Sequence, residues 1–231
     1  MINTRDYKEP ILMFSGGKDS LLCLLKLKDQ LDHINVVFVN TGKNFSEALS
    51  FIDTIKEMCP KFIELHSDRE QDWEINGLPA DLIAPMKGKY QSVQSCCYKN
   101  IMLPIIYLTK AMDSTLIIRG NKVGDVIYDG ISSLSVVDGV TIYNPIETLT
   151  DYQVLEALKT FDHDIDLPNY YSFEHTSLDC MDCTGYLDKT KDRLELLKKR
   201  YPFQYSVTKA NIEKIIAISE ASLATIKQAI I

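Results

Sequence analysis

The sequence predicts an α/β fold: a parallel, twisted sheet with helices on both faces, followed by C-terminal helices. Two observations lead there. Short apolar runs at 11–14, 34–40 and 61–67 alternate with stretches whose apolar residues fall at helical spacing. Strand, helix, strand, helix, strand in that order implies parallel strands joined by right-handed crossovers and covered on both sides. A hydrophobic content of 45% over 231 residues is enough to bury a substantial core.

Each element can be justified in turn. Residues 11–14 fit a short buried strand and 21–31 a helix; 34–40 is a second strand, closed by Thr41-Gly42. Ser46 is the expected N-cap of a helix over 46–58, and 61–67 is the third strand. Residues 67–95 mix Gly77, Pro79, Pro85 and Gly88 with lysines and serines, which predicts a loop over the site. Residues 96–112 read as a helix that Pro104 should kink or divide. "STLIIRG" supplies a strand ending at Arg119-Gly120, and "VTIYNPI" an edge-like strand before Pro145. Thr150 and Gln153 have the form of a capping box opening the helix 151–161. A long loop, 162–186, holds Cys180 and Cys183. Two helices close the chain, and in the last one Ile212, Ile215, Ile216, Leu223, Ile226 and Ile230 form an apolar stripe. That stripe is expected to pack on the domain or on a second copy in a homodimer.

Composition excludes several classes. The opening "MINTRDYKEP" has no basic start backed by an apolar stretch, so no signal peptide is expected. No apolar run approaches a membrane span, and the expected location is cytoplasmic. A net charge of −7 argues against holding nucleic acid by bulk electrostatics, leaving room only for a local basic patch. In that setting the six cysteines read as free thiols or metal ligands, not disulfides.

The junction "SGGKDS", residues 15–20, carries more polar chemistry than a turn requires. A glycine-rich turn between a strand and a helix presents backbone N–H groups, backed by the helix dipole, to a polyanion such as pyrophosphate. Gly16 and Gly17 allow close approach, and Ser15 and Ser20 offer hydroxyls. Lys18 adds positive charge, and Asp19 can orient the loop or hold Mg²⁺; these two are the candidate catalytic residues. A helix that merely begins with two glycines would explain the turn but not all six residue types. The G-x-x-x-x-G-K-[ST] and G-x-G-x-x-G loops are both absent.

"SGGKDS" resembles the SGGxDS signature of the PP-loop ATP pyrophosphatases, which split ATP between its α- and β-phosphates. "NTGKNFSEALSFID" resembles the segment after the second strand of PAPS and APS reductases, although Asn40 stands where that family usually has aspartate. "IIRGNKVGD" and "YNPIETLTDYQVLEAL" resemble the family's later strand end and its Asn-Pro-Ile stretch, so the likeness runs over about 10–190. The resemblance implies an adenine nucleotide alpha hydrolase-like fold that binds ATP, or APS or PAPS. It also makes Thr41, Gly42, Arg119 and Gly120 nucleotide-contact candidates. Arg119 has a further reason, since a guanidinium at a strand end can form paired hydrogen bonds to phosphate.

Four cysteines form two close pairs, Cys96-Cys97 and Cys180-Met181-Asp182-Cys183, with 82 residues between them. Soft thiolates so spaced suit an iron–sulfur cluster or zinc, and a lone CxxC can also be a redox dithiol. The CC…CxxC pattern resembles the [4Fe–4S] motif of assimilatory APS reductases, which implies Cys96, Cys97, Cys180 and Cys183 as cluster ligands. Neighbouring side chains on a helix diverge by about 100°. The backbone around Cys97 must therefore be bent or terminal if both thiols are to face one cluster. Cys23 and Cys59 read as packing residues, and Lys99 as solvated or facing the cluster. The expected boundaries are 1–190 for the nucleotide-binding domain with its iron–sulfur site and 191–231 for a helical segment.

APS and PAPS reductases attack with a cysteine in a C-terminal Glu-Cys-Gly-Leu-His-like tail, and the sequence has no cysteine after Cys183. What remains resembles the PP-loop sulfurtransferases, including those of DNA phosphorothioation, which work beside a cysteine desulfurase. This resemblance implies ATP-dependent sulfur transfer to a nucleic-acid acceptor. The alternatives are a reductase with an external thiol and a non-catalytic nucleotide- or cluster-binding partner. A nucleic-acid acceptor would meet Lys87, Lys89, Lys189, Lys191, Arg193, Lys198, Lys199 and Arg200, with Tyr90 and Tyr98 for stacking; a solvated helix face explains the later basic group equally well.

Overall fold

The computed structural model describes residues 1–80, 89–125, 130–161, 165, 180–185 and 191–229. Lys87, Lys189, Ile230, the side chain of Lys191 and most of the loop expected over 162–186 lie outside the described residues. The described elements begin with β1 (Ile11–Met13), α1 (Lys18–Lys26), β2 (Asn35–Asn40), α2 (Ser46–Met58) and β3 (Phe62–His66). Next come α3 (Arg69–Asn76), β4 (Leu78–Pro79), β5 (Tyr90–Gln91), α4 (Val93–Cys97), a π-helical turn (Tyr98–Met102) and α5 (Leu103–Met112). They continue with β6 (Leu116–Ile118), β7 (Ser135–Val137), β8 (Val140–Tyr143), α6 (Asp151–Thr160), α7 (Lys191–Arg200) and α8 (Pro202–Ala229).

The chain forms two compact units. The first contains Met1–Asn40, Asn44–His66 and Pro104–Asp179; the second contains Thr41–Lys43, Ser67–Leu103 and Cys180–Ile231. The first is built on a six-stranded sheet in the order β3-β2-β1-β6-β8-β7. Strands β3 through β8 pair in parallel, with Ile11 opposite both Asn35 and Ile117, while β7 runs antiparallel to β8. Ile11, Leu12, Val36, Val37 and Phe38 are all buried, so both faces of the central strands are covered, as a parallel sheet demands. On one face, Leu12, Phe14, Val36, Phe38, Leu116 and Ile118 pack with residues of α1, α2 and α6 in one continuous core.

Local chemistry explains most helix limits. Ala48, Phe51, Ile52 and Ile55 are the buried residues of α2, one face at helical period. Phe45, not Ser46, is its N-cap; the Ser46 hydroxyl donates instead to Glu47 at 3.0 Å. The capping box of α6 forms as the sequence predicts, with Thr150 and Gln153 bonded reciprocally. The predicted loop over 67–95 contains helix α3, whose limits are set by Asp68 accepting from the Gln71 N–H and by Gly77 at φ +84°. Pro104 marks a boundary: the helix changes from π to α at Leu103, and the first compact unit resumes at Pro104. The proline follows the π turn, where the Leu103 N–H bonds back to the Tyr98 carbonyl, so the ladder is already shifting where the proline lacks its donor. Strand β8 is not the sheet edge; β7 takes that place through a turn at Asp138 (φ +51°) and Gly139 (φ +81°).

In the second unit, Ile215 of α8 packs with Ala80 and Tyr90, and the Tyr90 hydroxyl donates to the Ile215 carbonyl at 3.0 Å. Tyr90 is therefore a core residue, not a surface for stacking bases. The stripe on α8 divides: Ile215 is buried, while Ile216, Leu223 and Ile226 are exposed. Among the described residues no helix is long and apolar enough to cross a membrane.

Candidate functional site

In the first unit, β1 leads through α1 to β2 on one side, while β6 lies on its other side. The chain thus reverses direction across the sheet between β1 and β6. Open α/β sheets bind ligands in the crevice at the carboxyl ends of strands flanking such a point. The loops that border it are residues 14–17 after β1 and 119–122 after β6.

Both loops are tightly specified. Gly16 has φ +79°, and a Cβ there would press on Ile52 Cδ1 at 3.3 Å. A Cβ on Gly120 would stand 2.9 Å from the Ser20 nitrogen, so only glycine lets the two loops meet. The Ser20 hydroxyl donates to the Gly17 carbonyl at 2.9 Å and accepts from the Ser15 N–H at 3.3 Å; the Ser15 oxygen in turn accepts from the Gly17 N–H at 3.3 Å. The serines therefore shape the loop from within. Helix α1 opens at Gly17 without a side-chain cap, and an uncapped helix start behind a glycine turn favours an anion.

Five charged side chains gather there. Lys18 Nζ lies 3.0 Å from Asp19 and 2.7 Å from Asp151, while Lys122 Nζ lies 3.3 Å from Asp19, 3.3 Å from Asp125 and 3.6 Å from Asp151. Burial alone would lower the Lys122 pKa, but the carboxylates of Asp19, Asp125 and Asp151 reverse this and hold it above its usual range. Burial would raise the Asp151 carboxyl, and Lys18 and Lys122 overcome that and lower it. Sequence reasoning singled out Lys18 and Asp19 but missed Lys122 and Asp151. The available signals were a lysine three residues beyond Arg119 and an aspartate in the first turn of α6. Arg119 is buried and donates to Asn144 Oδ1 at 3.3 Å and to the Ile131 carbonyl at 3.2 Å. It ties the end of β6 to the neighbouring segments.

The second unit gathers the cysteines. Cys96 is buried, and its sulfur accepts from Trp73 Nε1 at 3.3 Å and from Asn100 Nδ2 at 3.7 Å. The Thr41 hydroxyl is 3.6 Å from Cys180 Sγ, and Thr41 and Gly42 both fall in this unit. A Cβ on Gly185 would collide with Val93 of α4 at 1.8 Å, and Cys183 Sγ lies 3.6 Å from that same point. Burial pushes the Cys96 thiol up despite the Trp73 donor, and pushes the Cys183 thiol up despite Arg193, the Gly185 N–H and Arg69. All six cysteines are free thiols.

Two arginines lie among these thiols. Arg69, 2% exposed, stacks on the Trp73 ring at 4.3 Å and donates through Nη2 to Asp182 at 2.5 Å. Its burial would lower its pKa, but Cys180, Asp182 and Cys96 together raise it. Arg193 donates through Nη2 to the Cys180 carbonyl. Neither arginine was read from the sequence as part of this site.

Cys97 is exposed while Cys96 is buried, and the backbone stays helical through both at φ −62° and ψ −40° for Cys97. The bend that would turn both thiols one way is not made; a π turn follows instead. Among the described residues no three His, Cys, Asp or Glu side chains converge where one metal ion would sit. A zinc ion at about 2.3 Å from each sulfur requires such convergence, whereas a cubane takes each thiolate on a separate iron. The N–H donors on Cys96 and Cys183 and the surrounding positive charge fit an anionic, sulfur-rich group.

The phosphoadenosine phosphosulfate reductase domain matches residues 9–186. No curated protein sequence matches the chain. Among solved structures, the phosphoadenylyl-sulfate reductase of Candida auris in a phosphate complex is 10% identical, with a TM-score of 0.56 over 77% of this chain and 83% of that one. The glutamine-dependent NAD+ synthetase of Acinetobacter baumannii with ADP is 15% identical, with a TM-score of 0.50 over 90% of this chain and 40% of that one. The U34-tRNA thiolase of Methanococcus maripaludis with its [4Fe–4S] cluster is 16% identical over 89% of this chain and 71% of that one; at a TM-score of 0.40 it is too distant for its chemistry to bear on this one. These likenesses are of fold. The domain match covers most of the sequence, and the chain belongs to the phosphoadenosine phosphosulfate reductase domain family.

Proposed function

We propose that this protein transfers sulfur at the expense of ATP. Loop 15–20 and Lys122 hold the triphosphate, with Arg119 and Gly120 fixing the strand end beside it. Asp19, released from its lysines, would hold Mg²⁺, which would offset phosphate charge. An acceptor oxygen attacks the α-phosphorus, the α–β phosphoanhydride bond breaks and pyrophosphate leaves. Sulfide then attacks the activated acceptor, forming the acceptor–sulfur bond while the oxygen departs on AMP. A [4Fe–4S] cluster on Cys96, Cys97, Cys180 and Cys183 would supply a carried sulfide. A cysteine desulfurase as donor and the DNA backbone as acceptor complete this reading, and exposed Lys198, Lys199 and Arg200 on the last turn of α7 offer a basic face for the latter.

The observation that carries the reading is the pair of lysines, each 15% exposed, held by carboxylates at the sheet's reversal point beside an uncapped helix start. A polyanion with its own divalent cation is the ligand that can take both the lysines and the freed carboxylate. A second reading, reduction of APS or PAPS to sulfite by an external thiol, is favoured by the identity of the matched domain. Anaerobic turnover separates them: pyrophosphate and AMP from ATP support sulfur transfer, and sulfite from APS with added thioredoxin supports reduction. Turnover of neither leaves a nucleotide-binding partner protein.

A further inference from the structure

Buried arginines ordinarily have their N–H groups satisfied, because an unpaired buried donor forfeits its hydration for nothing. In the second unit three such donors meet no acceptor among the described residues: Nε and Nη1 of Arg69 and Nε of Arg193. They lie where the thiols collect. Arg69 stacks on Trp73, whose own N–H rests on Cys96, and it pairs with Asp182, inside the Cys180–Cys183 turn. Arg193 is anchored on the Cys180 carbonyl. Arg69, Arg193 and Lys99 face two carboxylates, Asp182 and Asp72, which leaves a local surplus of positive charge in a sulfur-lined place. Asp182 satisfies one nitrogen of Arg69 and fixes the plane of the fork, leaving its other donors directed elsewhere.

We propose that Nε and Nη1 of Arg69, with Nε of Arg193, donate hydrogen bonds to the inorganic sulfide of the iron–sulfur cluster on Cys96, Cys97, Cys180 and Cys183. This rests on the cluster assignment of the proposed function. An oxidised [4Fe–4S] core with four thiolates is a dianion, and its sulfides are acceptors with no partner of their own. Two guanidinium groups supply both the missing charge and the missing donors. They act as positioning and tuning residues. Hydrogen bonds to cluster sulfur and nearby positive charge favour the reduced, more negative state, so they raise the reduction potential.

The test uses the full chain reconstituted anaerobically with iron and sulfide. Iron and sulfide are first counted per chain, and the cluster is then titrated against potential by EPR, with the bridging iron–sulfur stretches followed by resonance Raman. Arg69→Gln combined with Asp182→Asn removes the ion pair as a unit and leaves no buried carboxylate behind. At a fixed potential the reduced-to-oxidised ratio of its cluster should be at least tenfold lower, which for one electron is a shift of about 59 mV to more negative values. Arg69→Lys, which keeps the charge and loses the fork, should shift the same way by less, and Arg193→Lys should shift the Raman bands. If the double variant does not fold, the two lysine variants decide. Full cluster occupancy with wild-type potentials and Raman bands in the variants overturns the proposal and leaves the cluster assignment standing. A wild-type chain that takes up no iron and sulfide overturns the assignment, and the proposal with it.

Discussion

The two sites solve opposite electrostatic problems. At the loop of the first unit every cation is already answered: Lys18 and Lys122 share Asp19 and Asp151, and Lys122 also reaches Asp125. Among the cysteines of the second unit the cations outrun their partners, and buried donors of Arg69 and Arg193 meet no acceptor among the described residues. A site for a ligand that comes and goes must be stable empty, and carboxylates standing in for phosphates make it so. On the cluster reading, a site built around a resident group can leave its donors to that group.

The comparison breaks most sharply at the cysteines. Cys96→Ser should abolish uptake of iron on anaerobic reconstitution, whereas Cys97→Ser, at the exposed position, should keep the larger part of it; equal loss in both would show that the helix rearranges to present the two thiols alike. At the loop, Lys18→Ala should lower pyrophosphate release from ATP by about 100-fold, the usual effect of removing one preorganised donor from a developing charge. Stopped assays with Lys122→Ala alongside would show whether the second lysine shares the load. Gly120→Ala should cost about 1–3 kcal/mol in denaturant unfolding, since its Cβ would meet the Ser20 backbone at 2.9 Å.

The smallest effect is one of pH. The Asp151 carboxyl titrates below its ordinary 3.8, because Lys18 and Lys122 outweigh its partial burial. Its contribution to stability is therefore present above that ordinary value and lost as pH falls through the lower folded value. Asp151→Asn should be slightly less stable than wild type at neutral pH and equal to it in strong acid. A difference that persists in strong acid would mean that Asp151 works by geometry and not by charge.

These contrasts also decide what the sequence could reveal. The loop is contiguous: one strand, "SGGKDS" and one helix lie within sixteen residues, 11–26, so its chemistry was readable in place. Its clamp was not, because Lys122 and Asp151 reach it through the sheet order. The cysteine pairs were visible as pairs, but Trp73, Arg69 and Arg193 come from α3 and α7, and no spacing rule connects them. Region 67–80 misled because Gly77 and Pro79 look like loop punctuation; Gly77 is instead the stop of a short helix that brings Arg69 and Trp73 to the thiols. The hairpin of β7 and β8 did carry a signal: "SVVDGVTIY" places Asp-Gly between two apolar runs, the strongest short-range mark of a tight reversal.

That Asp-Gly reversal has a consequence for life in a crowded solution. A parallel sheet can finish only with a strand whose free side offers unpaired amides and carbonyls to any passing chain. Here the last position costs a two-residue turn and a strand of three residues, Ser135–Val137. So short a rim gives an incoming peptide little to copy, and misassembly at this edge is discouraged.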